Sequence, residues 1–118
     1  MAAVVYLVKD LLFTSKIREA ASHLGVAVTS ARDPDGLVTA ARSARLVILD
    51  LRLPEALEAL GRLVADPLAA EVPSVGFVDH EHTDVMDAAR ARGCRQVMAK
   101  GQFASALPGL LQSLVPVP

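Results

Sequence analysis

Four charged side chains stand where apolar stretches of this sequence end. Lys9 and Asp10 follow one apolar run, Asp50 closes a second, and Lys100 follows a third; two of the chain's three lysines belong to this set. Opposite unit charges about 4 Å apart attract by about 4 kcal/mol at an effective dielectric of about 20. The four groups can therefore form a cluster of ion pairs, provided that the fold brings them together.

Composition limits the function classes. A chain of 118 residues suits one domain, 1–118, and 53% hydrophobic with only 3% aromatic residues predicts an aliphatic core. A net charge of −1 gives no general attraction to nucleic acid or to an anionic membrane. The single cysteine, Cys94, excludes an internal disulfide framework.

The amino-terminal stretch MAAVVYLVKD lacks the basic start and cleavage site of a signal peptide. No apolar stretch reaches the roughly 20 residues of a membrane span. We therefore expect a soluble, cytoplasmic protein that binds neither nucleic acid nor membrane.

Short apolar runs alternate with amphipathic segments along the whole chain. The runs predict five strands, at 2–8, 26–30, 45–51, 72–78 and 95–99. The amphipathic segments predict five helices, at 12–24, 33–44, 54–66, 82–93 and 103–115. Pro108 requires the last helix proper to begin near Ser105, so that the proline falls in the first turn.

Five βα units predict an α/β fold, a single doubly wound parallel sheet of order 2-1-3-4-5 with helices on both faces. In such sheets, sites form beyond the carboxyl ends of the strands, near the switch point between strands 1 and 3. This rule brings together Lys9, Asp10, Asp50 and Lys100, with Asp79 at the end of strand 4.

With these positions in place, the chain resembles, over essentially its whole length, the receiver domains of two-component response regulators, which have the flavodoxin/CheY-like fold. The resemblance rests on residues at the ends and beginnings of the predicted strands: Asp10, the stretch LDLRLP (49–54) around Asp50, Pro73, Gly93 seven residues before Lys100, and Phe103.

The resemblance implies roles for these residues. Asp50 matches the aspartate that accepts a phosphoryl group from a histidine kinase, and Lys100 matches the lysine that pairs with the phosphoryl oxygens. Asp10 matches the second residue of an acidic pair that holds Mg²⁺. Asp10, Asp50 and the backbone carbonyl of Arg52 would then supply the metal ligands. Receivers are signalling modules, so the resemblance implies that the chain is not an enzyme.

Three departures from the family pattern affect this chemistry. Lys9 stands where receivers have the first acidic residue, and an ammonium there repels a metal ion. Val78 stands where they have a serine or threonine, so the hydroxyl that binds a phosphoryl oxygen is missing. Gln102 follows Gly101 after the lysine, where receivers usually have a proline directly after it.

We therefore predict an atypical receiver, or pseudo-receiver, in which phosphorylation at Asp50 is weakened or lost. In this hypothesis Lys9 and Lys100 neutralise Asp10 and Asp50 and hold one conformation. The alternative for Lys9 is that its side chain extends into solvent and contacts neither aspartate. We expect no cofactor, Mg²⁺ being the one ion that the site could still hold.

The expected partner is a protein: a kinase, an output protein or a second copy in a homodimer, bound through helix 4, strand 5 and helix 5. Two alternatives stay open. One is a functional Mg²⁺-dependent phosphoacceptor at Asp50. The other is a flavodoxin-like binder of a small ligand, which is disfavoured because KDLLFTS, after strand 1, contains no glycine to cradle a phosphate.

Two further clusters have ordinary explanations. His80 and His82 in DHEHTD raise the question of a zinc site, but we favour a polar loop at a helix start. Arg90, Arg92 and Arg95 lack the wide basic face and stacking aromatics of a nucleic-acid site, so we favour a solvated surface.

Overall fold

A computed structural model describes residues 2–116 of the chain. Strands and helices alternate along these residues: β1 Val4–Leu7, α1 Leu11–Leu24, β2 Val28–Ser30, α2 Pro34–Ala41, β3 Leu46–Asp50, α3 Ala56–Ala65, β4 Ser74–Val78, α4 Thr83–Ala91, β5 Gln96–Ala99 and α5 Lys100–Gln112. Each predicted element is present, although most are shorter at their ends than the sequence pattern indicates.

The strands form one parallel sheet in the order β2-β1-β3-β4-β5. Both the fold class and the predicted strand order are confirmed. β2 pairs with one edge of β1 and β3 pairs with the other, so the order in which strands are added switches sides between β1 and β3. The carboxyl ends of these two central strands therefore flank a crevice.

The core lies in two layers, one on each face of the sheet. Alternate residues of β1 point to opposite faces, with Val4 and Tyr6 on one side and Val5 and Leu7 on the other. Helices α1 and α5 cover the first face, and α2, α3 and α4 cover the second. All four β1 residues are fully buried, which is why this strand reads as a continuous apolar run.

Specific residues fix the ends of two of the helices. Pro34 begins α2 after Asp33, whose carboxylate accepts a hydrogen bond from the Gly36 amide at 2.8 Å. After α4, Gly93 has a φ of 97°, and a β-carbon there would lie 2.8 Å from Val64. Both the backbone conformation and the close approach of α3 therefore require glycine.

The predicted start of the last helix is wrong. Helix α5 begins at Lys100, directly after β5, so Pro108 lies in its interior rather than in its first turn. Pro108 is exposed, and the carbonyl of Ala104 that loses its amide partner can be hydrated on this side.

Within residues 2–116, none of the helices combines the length and the apolar character needed to cross a membrane.

Candidate functional site

Asp50 is the last residue of β3 and the buried centre of the site. Its side chain is 4% exposed, and its Oδ1 accepts a hydrogen bond from the Arg52 amide at 3.0 Å. Leu51 anchors this turn: its amide donates to the Phe77 carbonyl at 3.0 Å, and its side chain fills the space left by Gly76. The turn therefore holds the Asp50 carboxyl at the carboxyl end of the sheet.

Burial dominates the electrostatics of Asp50. Loss of hydration raises the pKa of the Asp50 carboxyl above its ordinary value, and the nearby charge of Asp10 acts in the same direction. The Arg52 amide and the charge of Lys100 oppose this shift in pKa without cancelling it. Among the described residues, no cation lies within 4 Å of the Asp50 carboxyl oxygens.

Asp10 serves as the N-cap of α1. Its Oδ1 accepts hydrogen bonds from the amides of Leu12 at 2.9 Å and Phe13 at 3.3 Å. The hydrogen bond from the Phe13 amide is the main cause that lowers the pKa of Asp10; bonds from Lys100 and from the Leu12 amide add to it, while burial opposes it. Asp10 therefore stays ionised, and one of its oxygens is occupied by the helix terminus.

Lys100 joins two of the carboxylates. Its Nζ lies 3.4 Å from Asp10 Oδ2 and 3.6 Å from Asp79 Oδ1, and its side chain is 22% exposed. The predicted pairing of Lys100 with Asp10 is thus present, whereas the ion pair with Asp50 is not. The ammonium reaches Asp50 only through its longer-range field.

An aromatic stack supports Lys100 from below. Its Nζ lies 5.4 Å from the centroid of the Phe13 ring, within the range of a cation–π contact. Phe13 stacks on Phe77 with centroids 4.9 Å apart, and Phe77 stacks on Phe103 at 4.4 Å. The chain's three phenylalanines therefore form one rigid base that links α1, β4 and α5 beneath the charged cluster.

The hypothesis that Lys9 pairs with Asp10 or Asp50 is wrong. Lys9 Nζ lies 3.2 Å from Glu55 Oε2, at the amino-terminal end of α3, and its side chain is 56% exposed. The Lys9 ammonium therefore lies at the start of α3, and neither Asp10 nor Asp50 is within ion-pair distance of it. The alternative, an extended Lys9 that contacts neither aspartate, describes the structure, with Glu55 as its partner.

Two further predicted positions lie at the crevice in different ways. Arg52 places its backbone at Asp50, while its guanidinium is 57% exposed and lies 3.7 Å from Asp79 Oδ2. Val78 is 1% exposed and belongs to the apolar core on the α2–α3–α4 side. Ser74, at the opposite end of β4, accepts a hydrogen bond from the Arg95 amide at 3.2 Å and does not replace the missing hydroxyl.

Two residues of the charged set were not among the predicted site residues. Asp79, directly after β4, pairs with both Lys100 and Arg52. Glu55 precedes α3 and binds Lys9 across 46 positions of sequence. The strand-end rule already pointed to Asp79, whereas nothing in the local sequence around Glu55 distinguishes it from an ordinary helix-terminal acid.

Comparison with solved structures places this fold among receiver domains. The chain is similar to the receiver domain of the sensor histidine kinase PA1611 from Pseudomonas aeruginosa PAO1, with a TM-score of 0.78, 19% identity and 97% coverage of each chain. That structure contains a magnesium ion coordinated in the active-site cleft. A putative response regulator from Chloroflexus aurantiacus gives a TM-score of 0.80 at 14% identity, with 97% of each chain covered.

The chemotaxis response regulator CheY4 of Vibrio cholerae gives a TM-score of 0.77 at 18% identity, covering 97% of this chain and 98% of that one. No protein-family model matches the sequence, and no curated protein matches it. At these identities the likeness establishes the CheY-like fold, and the chemistry has to be argued from the residues themselves.

Proposed function

We propose that this chain is an atypical receiver domain that acts in signal transduction as a protein-interaction module, with phosphorylation at Asp50 weakened or lost. The observation that carries the proposal is the position of Lys100, whose ammonium lies between Asp10 and Asp79. A protein cation thereby neutralises the carboxylates next to Asp50 before any ligand arrives.

The donor set fits Mg²⁺ poorly. The ion prefers near-octahedral oxygen ligands and usually takes one or two carboxylates. Here Asp10 offers one oxygen to the α1 amides and the other to Lys100, while burial raises the pKa of the Asp50 carboxyl. Lys9, whose ammonium is held by Glu55, supplies the ion with no ligand. A metal would have to displace Lys100 from Asp10 and take as a ligand Asp50, a carboxyl whose charged form is disfavoured by burial.

The acceptor chemistry is impaired for related reasons. A carboxylate attacks phosphorus as a nucleophile only when it is ionised, and burial raises the pKa of Asp50. Phosphoryl transfer depends mainly on positioning and charge neutralisation. The buried Val78 provides no hydrogen bond to a phosphoryl oxygen, so even a transferred group would lack the contact that draws the β4–α4 loop inward.

Partner binding is the function left to such a domain, and the α4–β5–α5 surface is suited to it. Helix α4 buries only Ala89 fully, whereas α3 buries four residues: Ala56, Ala59, Leu60 and Leu63. β5 forms an edge of the sheet with Gln96 exposed. This surface, formed by α4, β5 and α5, offers accessible side chains and backbone to a kinase, an output protein or a second copy.

A second candidate is a functional Mg²⁺-dependent phosphoacceptor. The observation in its favour is that Asp50, Asp10 and Lys100 occupy one crevice on a fold that is solved elsewhere with magnesium or manganese bound. It requires Lys100 to release Asp10 when the metal binds.

Amide NMR spectra distinguish the two candidates. We expect the resonances of α4, β5 and α5 to stay in place when acetyl phosphate and Mg²⁺ are added together at millimolar concentration. Displacement of this whole surface, abolished by Asp50→Asn, would support the second candidate and overturn the first.

A further inference from the structure

The turn between β4 and α4 gathers three potential metal ligands, of which only Asp79 also belongs to the crevice. The turn is closed by a hydrogen bond from the His82 amide to the Asp79 carbonyl at 3.0 Å. It brings one ligand atom each from Asp79, Glu81 and His82 within 4.8 Å of one another. We propose that these three residues form a binding site for a divalent transition metal, represented by Zn²⁺.

The donor chemistry selects the class of metal. A neutral imidazole with two carboxylates suits Zn²⁺ and its neighbours in the transition series, whereas Mg²⁺ prefers an all-oxygen shell. Ligands about 2.0–2.1 Å from a tetrahedral zinc lie about 3.3 Å apart, so the side chains need only small rotations to close around the ion. Three protein ligands leave one position for water.

The side chains of the turn are free to make these rotations. Within residues 2–116, Glu81 and His82 make no side-chain hydrogen bond and no ion pair within 4 Å. His82 occupies the N-cap position of α4, yet its side chain accepts no bond from the helix amides. The imidazole therefore has no structural partner to give up when a metal binds.

Asp79 is the ligand that has competitors. Lys100 lies 3.6 Å and Arg52 3.7 Å from its two carboxylate oxygens, both beyond ordinary hydrogen-bond length. The amino-terminal end of α4 also opposes a cation, and Asp84 in its first turn offsets this effect. The metal therefore competes with loose ion pairs, not with a tight one.

The site differs from the zinc site that the sequence suggested. His80 and His82 are two positions apart, but the turn leaves His80 exposed and outside the cluster, where the carboxylates take its place. His80 therefore provides a matched control for His82. The inference does not depend on the proposed function, because it uses the turn and not the phosphoacceptor position.

Isothermal titration of the full chain with Zn²⁺ in a non-chelating buffer tests the site. We expect one ion per chain, with affinity at least about 10-fold weaker in His82→Ser and changed less than about 2-fold in His80→Ser. Serine is a preferred N-cap residue, so His82→Ser keeps α4 intact, which thermal unfolding verifies. Glu81→Gln, at an exposed residue, should also weaken binding.

Three results would overturn the proposal. They are the absence of saturable binding at millimolar Zn²⁺, equal losses in His80→Ser and His82→Ser, and unchanged affinity in His82→Ser. The proposed function stands or falls separately, since it is tested at Asp50 in the presence of Mg²⁺.

Discussion

The ammonium of Lys100 lies 3.4 Å from Oδ2 of Asp10, and the same carboxylate caps α1 through its other oxygen. One aspartate thus connects the start of the first helix to the start of the last. Asp10 and Lys100 therefore hold each other in place without a ligand.

Lys100→Met should raise the pKa of Asp10 without restoring its ordinary value. The substitution removes the hydrogen bond and the charge of Lys100, but the Phe13 amide, which is the largest cause of the lowered pKa, remains. Methionine keeps an unbranched stem near the Phe13 ring. Carboxyl ¹³C shifts followed through a pH titration measure this change. Lys16→Met on the exposed side of α1 is the control, and an unchanged Asp10 pKa in Lys100→Met would refute the assigned contact.

Asp10→Ala should lower the free energy of unfolding by about 1 kcal/mol more than Asp10→Asn does. Both substitutions remove the charge that faces Lys100, but asparagine still accepts hydrogen bonds from the Leu12 and Phe13 amides. Urea unfolding monitored by circular dichroism measures the difference. Equal losses in the two variants would mean that the N-cap contributes nothing.

Asp50→Asn should stabilise the fold increasingly as the pH rises. Because folding raises the pKa of Asp50, the folded chain binds this proton more tightly than the unfolded chain. The contribution of Asp50 to stability is therefore greatest below the unfolded pKa of about 3.9 and declines as the pH rises through the folded pKa.

Urea unfolding of both proteins from about pH 3 to about pH 8 gives this difference directly. Carboxyls with lowered pKa values, such as Asp10 and Asp66, make both proteins more stable as the pH rises. Subtracting the wild-type free energy of unfolding from that of the variant removes this shared contribution. The difference should grow through this range and then level off. A difference that shrinks with pH would contradict the assignment.

Lys9→Asp should raise the affinity of the chain for Mg²⁺ above that of wild type. The substitution removes an ammonium that Glu55 holds and puts a carboxylate on the residue next to Asp10. It costs little stability, about 0–1 kcal/mol, because the Lys9–Glu55 pair is exposed. Amide shifts of Leu12 and Arg52 during a Mg²⁺ titration report binding. Lys16→Asp makes the same charge change on an outer face and should bind Mg²⁺ no better than wild type. Equal Mg²⁺ affinity in the two variants would mean that net charge, and not the position of the new carboxylate, decides binding.

The sequence was sufficient to predict the sheet and most of the residues that line the crevice. Continuous apolar runs at β1 and β3 marked strands buried on both faces, and the strand-end rule then placed Asp10 near Lys100 although 90 positions separate them. These inferences succeed because the backbone topology alone decides which strand ends are neighbours.

The contacts of Lys9 and the first residue of α5 could not be predicted from the order of the strands. Which carboxylate a long, exposed lysine reaches depends on loop geometry, and the β3–α3 loop brings Glu55, at the far end from Asp50, to Lys9. Pro108 misled the helix assignment because its usual preference for the first turn is overridden where its side of the helix faces solvent. Both are decided by tertiary structure.

The most direct test of the account is the intact mass of the chain after incubation with acetyl phosphate and Mg²⁺. We predict that the mass stays unchanged, or that only a small substoichiometric fraction carries a phosphoryl group, and that Asp50→Asn behaves like wild type. A stoichiometric phosphoryl adduct on the wild-type chain that is absent from Asp50→Asn would contradict the central claim.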